Sequence, residues 1–356
     1  MEHDISILTG LHAAQHTQNF RVHCVYLTRD NQMLTGAALS NIDLHISGKI
    51  KGKPCRFSDG NLYIKNHAVK IDGVLNCCHG GIGENGELAA YLEIAGVPVT
   101  SCGYVAAADA QSKTRTRQIL SAAGLPQPLY KSAAASDDLV KIIEELKFEF
   151  PVIVKPDTLG SSIGISIARN ENELKEALSL AFSLDKNAII EEFFADIREI
   201  NCSAMRISDE IKVSKCEEIK NKSEFFGFSD KYLNPSSGFI KKGKTNRKNL
   251  KTAEDAQNEK IFNEIQRLAE QVYKIFNASG LIRVDFMLAG EKIYVNEINT
   301  VPGFLSYHLW AKSGIPYGVV INALIRQAVK DAESDANRKQ TEFKSDILQK
   351  NRGLLS

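Results

Sequence analysis

GLIRVDFMLAGEKIYVNEINTVPG, residues 280–303, holds two apolar runs separated by an Ala-Gly turn. Leu281 to Leu288 and Lys292 to Ile298 read as the strands of a hairpin, with Gly290 in the turn. Alternate strand positions share a face, so Glu297 and Asn299 project the same way, and Asp285 joins them if the register allows. Two carboxylates and an amide oxygen, without Cys or His, are hard oxygen ligands. They suit Mg2+ held jointly with the phosphates of a nucleotide. The same residues also suit a solvated hairpin, and this stretch alone leaves both readings open.

The rest of the chain supplies partners for such a site. FPVIVKPDTLGSSIGISIA (150–168) gives a short buried strand, Val152 to Lys155, a Gly-Ser loop, and a second strand, Ile163 to Ala168. Backbone N–H groups of the loop and the hydroxyls of Ser161 and Ser162 suit phosphate oxygens, with Lys155 as a point charge beside them. It is not a Walker A loop, because no G-x-x-x-x-G-K-[ST] occurs. AIIEEFF (188–194) is a strand with two carboxylates in its second half, suited to ribose hydroxyls or to a solvated strand end. HGGIGENG (79–86) links an expected buried strand, Gly73 to Cys78, to a helix from about Glu87 to Ala95 whose N-terminus faces an anion or serves only as a connection. Lys113 to Ala123 is an amphipathic helix closed by Gly124 and Pro126.

Further helices are expected over residues 1–20, from Ala253 to Phe276 and from Tyr317 to Ala332, with strands at Val22 to Leu27, Glu199 to Met205 and Ile211 to Cys216. Lys220 to Asn249 is a long polar loop with an aromatic cluster (Phe225, Phe226, Phe228, Tyr232), read as closing over a ligand. Its basic run 241–248 reads as a solvated turn.

Composition narrows the classes of partner. At 356 residues and 43% hydrophobic content, the chain has room for two or three domains. Lys and Arg (44) nearly balance Asp and Glu (43), so no global field favours nucleic acid or an anionic membrane, and a small-molecule substrate fits better. The seven cysteines are scattered without a C-x-x-C spacing, which argues for a reducing cytoplasm over a disulfide framework or zinc site. Neither a signal peptide nor a membrane span is read.

With these pieces in order, the chain resembles the D-alanine:D-alanine ligases of the ATP-grasp superfamily. The resemblance runs over nearly all of residues 1–320 and rests on EHDIS, HGGIGENG, the helix after Ser112-Lys113, FPVIVKPDTLGSSIGI, IIEEFF followed by REI, DKYL, IRVDFM and NEINTVPG. It implies an α/β (α+β) ATP-grasp fold of three lobes. An N-terminal parallel α/β lobe (1–104) precedes a central lobe (105–195) and a C-terminal metal lobe (196–330) with its loop 220–249. The last two clamp ATP between antiparallel sheets, and a charged tail (331–356) follows. The implied reaction phosphorylates the carboxylate of one D-alanine, and a second D-alanine's amine attacks the acyl phosphate, for peptidoglycan precursor synthesis.

The resemblance also implies roles. Lys113 and Lys155 neutralise ATP phosphates and Ser162 covers them. Glu191, Glu192, Phe194, Glu199, Phe225, Phe226 and Lys231 surround the nucleotide. Asp285, Glu297 and Asn299 bind two Mg2+, with Mn2+ as an alternative. Arg283 and the Gly303 N–H stabilise the tetrahedral intermediate. Glu2 holds the first ammonium in a triad with Ser161 and Tyr232, and His79 lies near the first substrate. His308 and Leu309 fall at the second substrate, His308 where a serine is common. The family is commonly homodimeric. It begins with a strand and a Gly-Gly turn before the Glu-His, and here Met1-Glu2 stands first, so the expectation is that the first strand is missing and that a longer form would be the active one. The tyrosine of DKYL favours dipeptide formation, while His308 leaves D-lactate, D-serine or another acceptor open. A catalytically impaired ATP-binding homologue is the remaining alternative.

Overall fold

Asp59-Gly60 takes positive φ at both positions (50° and 73°). That is the turn geometry that lets two strands reverse with their natural twist. It sits in a five-stranded antiparallel sheet, β1 (Val25–Leu27), β2 (Met33–Thr35), β3 (Lys53–Ser58), β4 (Asn61–Ile64) and β5 (His67–Lys70), in that spatial order. A computed structural model describes residues 2–17, 19–219, 253–339 and 350. Helix α1 (Glu2–Ala14) precedes the sheet, α2 (Ile42–Ile46) lies within it, and α3 (Gly81–Glu84) and α4 (Glu87–Ile94) follow. Phe57, Leu62, Leu88, Leu92 and Val97 form the core of this lobe.

The strand expected at Gly73 to Cys78 does not form a ladder. One parallel bridge, Val74 to Val99, is what it makes among the described residues, so the parallel pairing expected of this lobe is confined to that bridge. Buried Asn76 takes over the backbone's needs: its Nδ2 donates to Gly83 O (2.8 Å) and its Oδ1 accepts from Cys78 N (2.9 Å). Side-chain bonds of this kind compete with a sheet ladder. The segment, α1 and β1 together line a cavity of about 780 Å3.

Two further helices, α5 (Tyr104–Gln111) and α6 (Lys113–Ala122), lead to the second lobe. There β6 (Tyr130–Ala134), α7 (Leu139–Glu144), β7 (Val152–Pro156), β8 (Ser166–Ala168), α8 (Glu171–Leu184) and β9 (Asn187–Glu192) give an antiparallel sheet ordered β6-β9-β7-β8. Asn170 caps α8 by accepting from Glu173 N (3.0 Å), while Glu173 accepts from Arg169 N, so side chains satisfy the orphan donors of the first turn. Strand β8 starts three residues later than expected, because Ser161–Gly164 forms a turn with Ser161, Ser162 and Gly164 all at positive φ.

The third lobe holds β10 (Arg198–Ile207), β11 (Glu210–Val213), β12 (Glu217–Ile219), α9 (Ala253–Ile275), β13 (Leu281–Ala289), β14 (Lys292–Asn299), α10 (Tyr307–Lys312) and α11 (Tyr317–Lys339). Its antiparallel sheet runs β11-β10-β13-β14, with β12 also on β10. One face buries Ile200, Ile282, Val284 and Phe286 against Leu268, Ala269 and Val272 of α9. Each of these Ile, Val, Leu and Phe side chains contributes about 1.5–3 kcal/mol by leaving water. At one end of the other face, Met205 and Leu281 pack on Trp310 and Ile321. Although α5 and α6 precede the second lobe in sequence, Ala106, Ala107, Ala110 and Leu120 belong to the third lobe's core. The boundary expected at residue 105 therefore separates helices from the sheet they pack on. Among the described residues no helix is long and apolar enough to cross a membrane.

Candidate functional site

Strands β13 and β14 pair as the hairpin expected from sequence, and their register answers the question its residues pose. Asp285 lies opposite Glu297, and Arg283 opposite Asn299. Directly opposed residues share a face, so all four point into the same side. The register then shifts, setting Phe286 opposite Val295, so Asn296 is an extra residue in β14. A bulge of this kind interrupts the ladder locally and re-aims a side chain. Asn296 Oδ1 ends 3.4 Å from Lys155 Nζ, on the other sheet.

That contact belongs to a buried network joining the two antiparallel sheets. Glu191 of β9, only 1% exposed, accepts from Lys155 Nζ at 2.6 Å and from Arg117 Nε at 2.6 Å. Arg117, also 1% exposed, reaches on to Val295 O of β14 (3.0 Å). Burial pushes the Glu191 carboxyl up, but Arg117 and Lys155 outweigh it and hold the pKa down at about 2. Lys113 Nζ, at the start of α6, donates to Leu159 O (2.6 Å) in the loop after β7. Burial lowers its pKa and Lys155 adds to that, against the opposing pull of Glu297 and Asp157. Asp157 secures the same helix start, accepting from Ser112 Oγ (2.6 Å) and Thr114 N (2.7 Å).

Lys113, Glu297, Asn299, Glu84 and Asn296 line a single small polar cavity. Asp285 joins from below: Arg283 grips its two oxygens at 2.6 and 2.8 Å, and Asn299 Nδ2 donates to it at 3.2 Å. With the Asn299 amide turned over, Asp285, Glu297 and Asn299 present only oxygens, a donor set that fits a hard divalent cation. No group of three or more His, Cys, Asp or Glu side chains that could hold a metal gathers among the described residues. A cation here would draw its remaining ligands from outside the protein, as Mg2+ does from phosphates.

The first lobe meets this site through the His79–Glu84 pair and through Glu2. Glu84 of α3 and His79 form a buried ion pair (3.2 Å). Burial disfavours the charge on both groups. Their mutual attraction prevails, raising the His79 pKa and lowering that of Glu84. The pair holds Val301, just past β14: His79 Nδ1 meets Val301 O (2.7 Å), and Val301 N donates to Glu84 Oε1 (3.2 Å). At the second point Glu2 accepts from Ser161 Oγ (2.7 Å), linking α1 to the Gly-Ser loop. Gly80 makes this possible, since a Cβ there would lie 1.8 Å from Glu2 Oε2 and its φ is 69°.

The other expected residues fall as follows. Phe194 stacks on Tyr294 of β14 (centroids 4.9 Å apart). Glu192 is held by Leu129 N (2.8 Å), and Glu199 lies opposite Met287 on β13. Ser162 is in the left-handed turn beside Ser161, and Gly303 opens a buried 3-10 turn after Pro302. Glu191 is not open to a ribose: both of its oxygens face cations inside the protein, because strand alternation turns it inward and Glu192 outward. Leu309 is fully buried, so it packs and offers no surface. His308 Nε2 is 2.8 Å from Glu217 of β12, which Lys312 also meets; burial opposes the Glu217 charge, yet these two hold its pKa near 2. Phe225, Phe226, Lys231 and Tyr232 lie outside the described residues. Sequence reading missed Arg117, Glu84 and Asn296. Arg117 sits one helical turn after Lys113 and Glu84 within the glycine motif, whereas a bulge at Asn296 leaves no local mark.

Two antiparallel sheets linked by a Lys–Glu–Arg network, with a lysine-bearing strand and its Gly-Ser loop on one and a carboxylate hairpin on the other, define the class: an ATP-grasp fold. Models of the D-ala D-ala ligase N-terminus and C-terminus match residues 1–102 and 119–330, and the chain belongs to that family. It is 34% identical over 351 residues to the D-alanine–D-alanine ligase of Thermosipho africanus, covering 94% of this chain and 92% of that protein. The D-alanine–D-alanine ligase structure from Coxiella burnetii superposes with a TM-score of 0.78 at 21% identity, covering 96% and 95% of the two chains. The VanG D-Ala:D-Ser ligase from Enterococcus faecalis gives 0.74 at 25% identity, covering 92% and 95%.

Proposed function

We propose that the protein ligates two D-alanines to D-alanyl-D-alanine with ATP, through an acyl phosphate, to supply a peptidoglycan precursor. The observation that carries this is the buried link from Arg117 through Glu191 to Lys155 and Asn296. It fixes a cation on one sheet against the carboxylate hairpin of the other. Lys155 and Lys113 receive the phosphates, with the Ser161–Gly164 turn over them. Phe194 and Tyr294 offer a flat apolar surface to the base.

Asp285, Glu297 and Asn299 would hold Mg2+, two ions by the family pattern, which when bound screen the phosphate charge facing the carboxylate nucleophile. Glu2, held by Ser161, takes the ammonium of the first D-alanine. His79 and Glu84 fix Val301, and so the approach to Gly303, whose N–H with Arg283 receives the developing oxyanion. We also assign the protein to the cytoplasm as a homodimer. Light scattering of the purified chain tests the dimer.

Phosphate release with ATP and single amino acids tests the reading. D-alanine alone is expected to suffice. A requirement for D-serine or D-lactate as second acid would replace it with the second reading, an altered acceptor, which the Glu217–His308 pair favours. ATP binding without turnover would sink both.

A further inference from the structure

Phe304, Leu305 and Ser306, immediately after Gly303, have φ of 51°, 49° and 50°. Three successive non-glycine residues in the left-handed region persist only where the surroundings over-determine them. Those surroundings come largely from α1. Phe304 N donates to Thr9 Oγ1 (3.0 Å), and Thr9 is only 1% exposed. One turn on, the His12 ring stacks on Tyr317 (4.9 Å, 21°) and meets Tyr307 at 5.0 Å and Phe304 edge-on at 5.6 Å. Leu305 is buried with Ala13, Trp310 and Val320. The same helix carries Glu2 on Ser161 at its other end. One rigid rod therefore touches both the Gly-Ser loop and the turn that follows Gly303.

We propose that Thr9 and His12 are positioning residues for the ligation step: they hold Phe304–Ser306 left-handed and so fix the Gly303 amide next to it. The assignment rests on the ligase reading, because the Gly303 role comes from there. Thr9 supplies the acceptor that a left-handed Phe304 N–H needs. His12 fills the space between Tyr307, Tyr317 and Phe304, so the turn cannot relax toward α1. Neither side chain lies among the phosphate-facing lysines, so loss of either is felt in turnover and not in nucleotide affinity.

The test uses the full chain, with phosphate release in ATP and D-alanine and amide exchange at Phe304 by NMR. In Thr9→Val, of nearly equal shape but without the acceptor, Phe304 exchange is expected to quicken about tenfold and kcat to fall about tenfold, roughly what one hydrogen bond sustains. The KM for ATP and exchange at Ile282 and Val284 stay as in the wild type. Thr9→Ser restores both readouts. Unchanged exchange, or unchanged kcat, in Thr9→Val overturns the proposal.

If Thr9→Val does not fold, the His12 pair decides. His12→Phe, which keeps a ring on Tyr317, is expected to retain kcat and His12→Ala to lose it, and equal kcat in the two overturns the proposal. A wild type that releases no phosphate refutes the ligase reading separately. Phe304 exchange then still supports the clamp if it quickens in Thr9→Val, and overturns it if it does not.

Discussion

Replacing Glu191 by Gln should make the stability of the protein less sensitive to acid while lowering it at neutral pH. The carboxyl is buried and its pKa is held down to about 2 from an ordinary 4.5, by Arg117 and Lys155 against the cost of burial. A group depressed in the folded state contributes stability that is complete above its unfolded pKa and is lost as pH falls toward the folded one. The depression is worth about 3 kcal/mol at pH 7, and roughly 1.4 kcal/mol of that is gone by pH 3.5. Glutamine cannot titrate, and it leaves two buried cations short of a counter-charge, a loss of about 3–5 kcal/mol at pH 7. Urea unfolding of wild type and Glu191→Gln at pH 7 and 3.5 measures both quantities. Glu84, Asp185 and Glu217, whose pKa values are also lowered, are common to the two proteins and cancel in the difference. The gap is expected to narrow by about 1.4 kcal/mol in acid. A gap of the same size at both pH values would refute the assignment of the depressed pKa to Glu191, and a variant as stable as wild type would refute the network.

Other outcomes follow from the hairpin, from Lys155 of β7 and from α10. Glu297→Gln should lower turnover at least about 100-fold, the scale of losing a metal-positioning ligand, with circular dichroism unchanged; full activity removes the cation assignment. Chelation of divalent ions with EDTA should stop phosphate release and added Mg2+ restore it, whereas release that persists in the chelator contradicts the donor-set argument. Lys155→Met should raise the KM for ATP about tenfold or more, because one charge-assisted contact to phosphate is lost, and an unaltered KM would place the phosphates elsewhere. His308→Ser removes one of the two partners of Glu217, the one at 2.8 Å, and should change the KM for the acceptor while leaving that for ATP. The reverse pattern would show that α10 does not border the acceptor.

What could be read beforehand follows the range of the physics involved. The hairpin was legible because Leu281–Ala289 and Lys292–Asn299 are short runs rich in β-branched and aromatic residues around a Gly turn, and the two-residue period of strand side chains needs no partner. The shared face of Glu297 and Asn299 follows from the same rule. Their meeting with Asp285 does not, because it depends on a register that slips at Asn296. Gly73 to Cys78 misled for the converse reason. Its apolar run suits a strand, but a strand also needs neighbours, and here Asn76 satisfies the backbone instead. Glu191 and Glu192 are adjacent and chemically alike, yet alternation sends one inward to two cations and the other to Leu129 N. Which of the two turned inward could not be settled without knowing that Arg117 waits on a helix 74 positions away. Resemblance carried the roles of single residues along the chain, but the contacts that seat them come from elements remote in sequence. Val301 is held by His79 and Glu84, Phe304 by Thr9, and Lys155 by Glu191 and Asn296. The end of β14 is therefore fixed from three lobes at once. A site so assembled responds to substitutions far from its chemistry, which is why Thr9, named by no motif, and Glu191, whose motif does not say that it turns inward, are the residues whose replacement tests it most sharply.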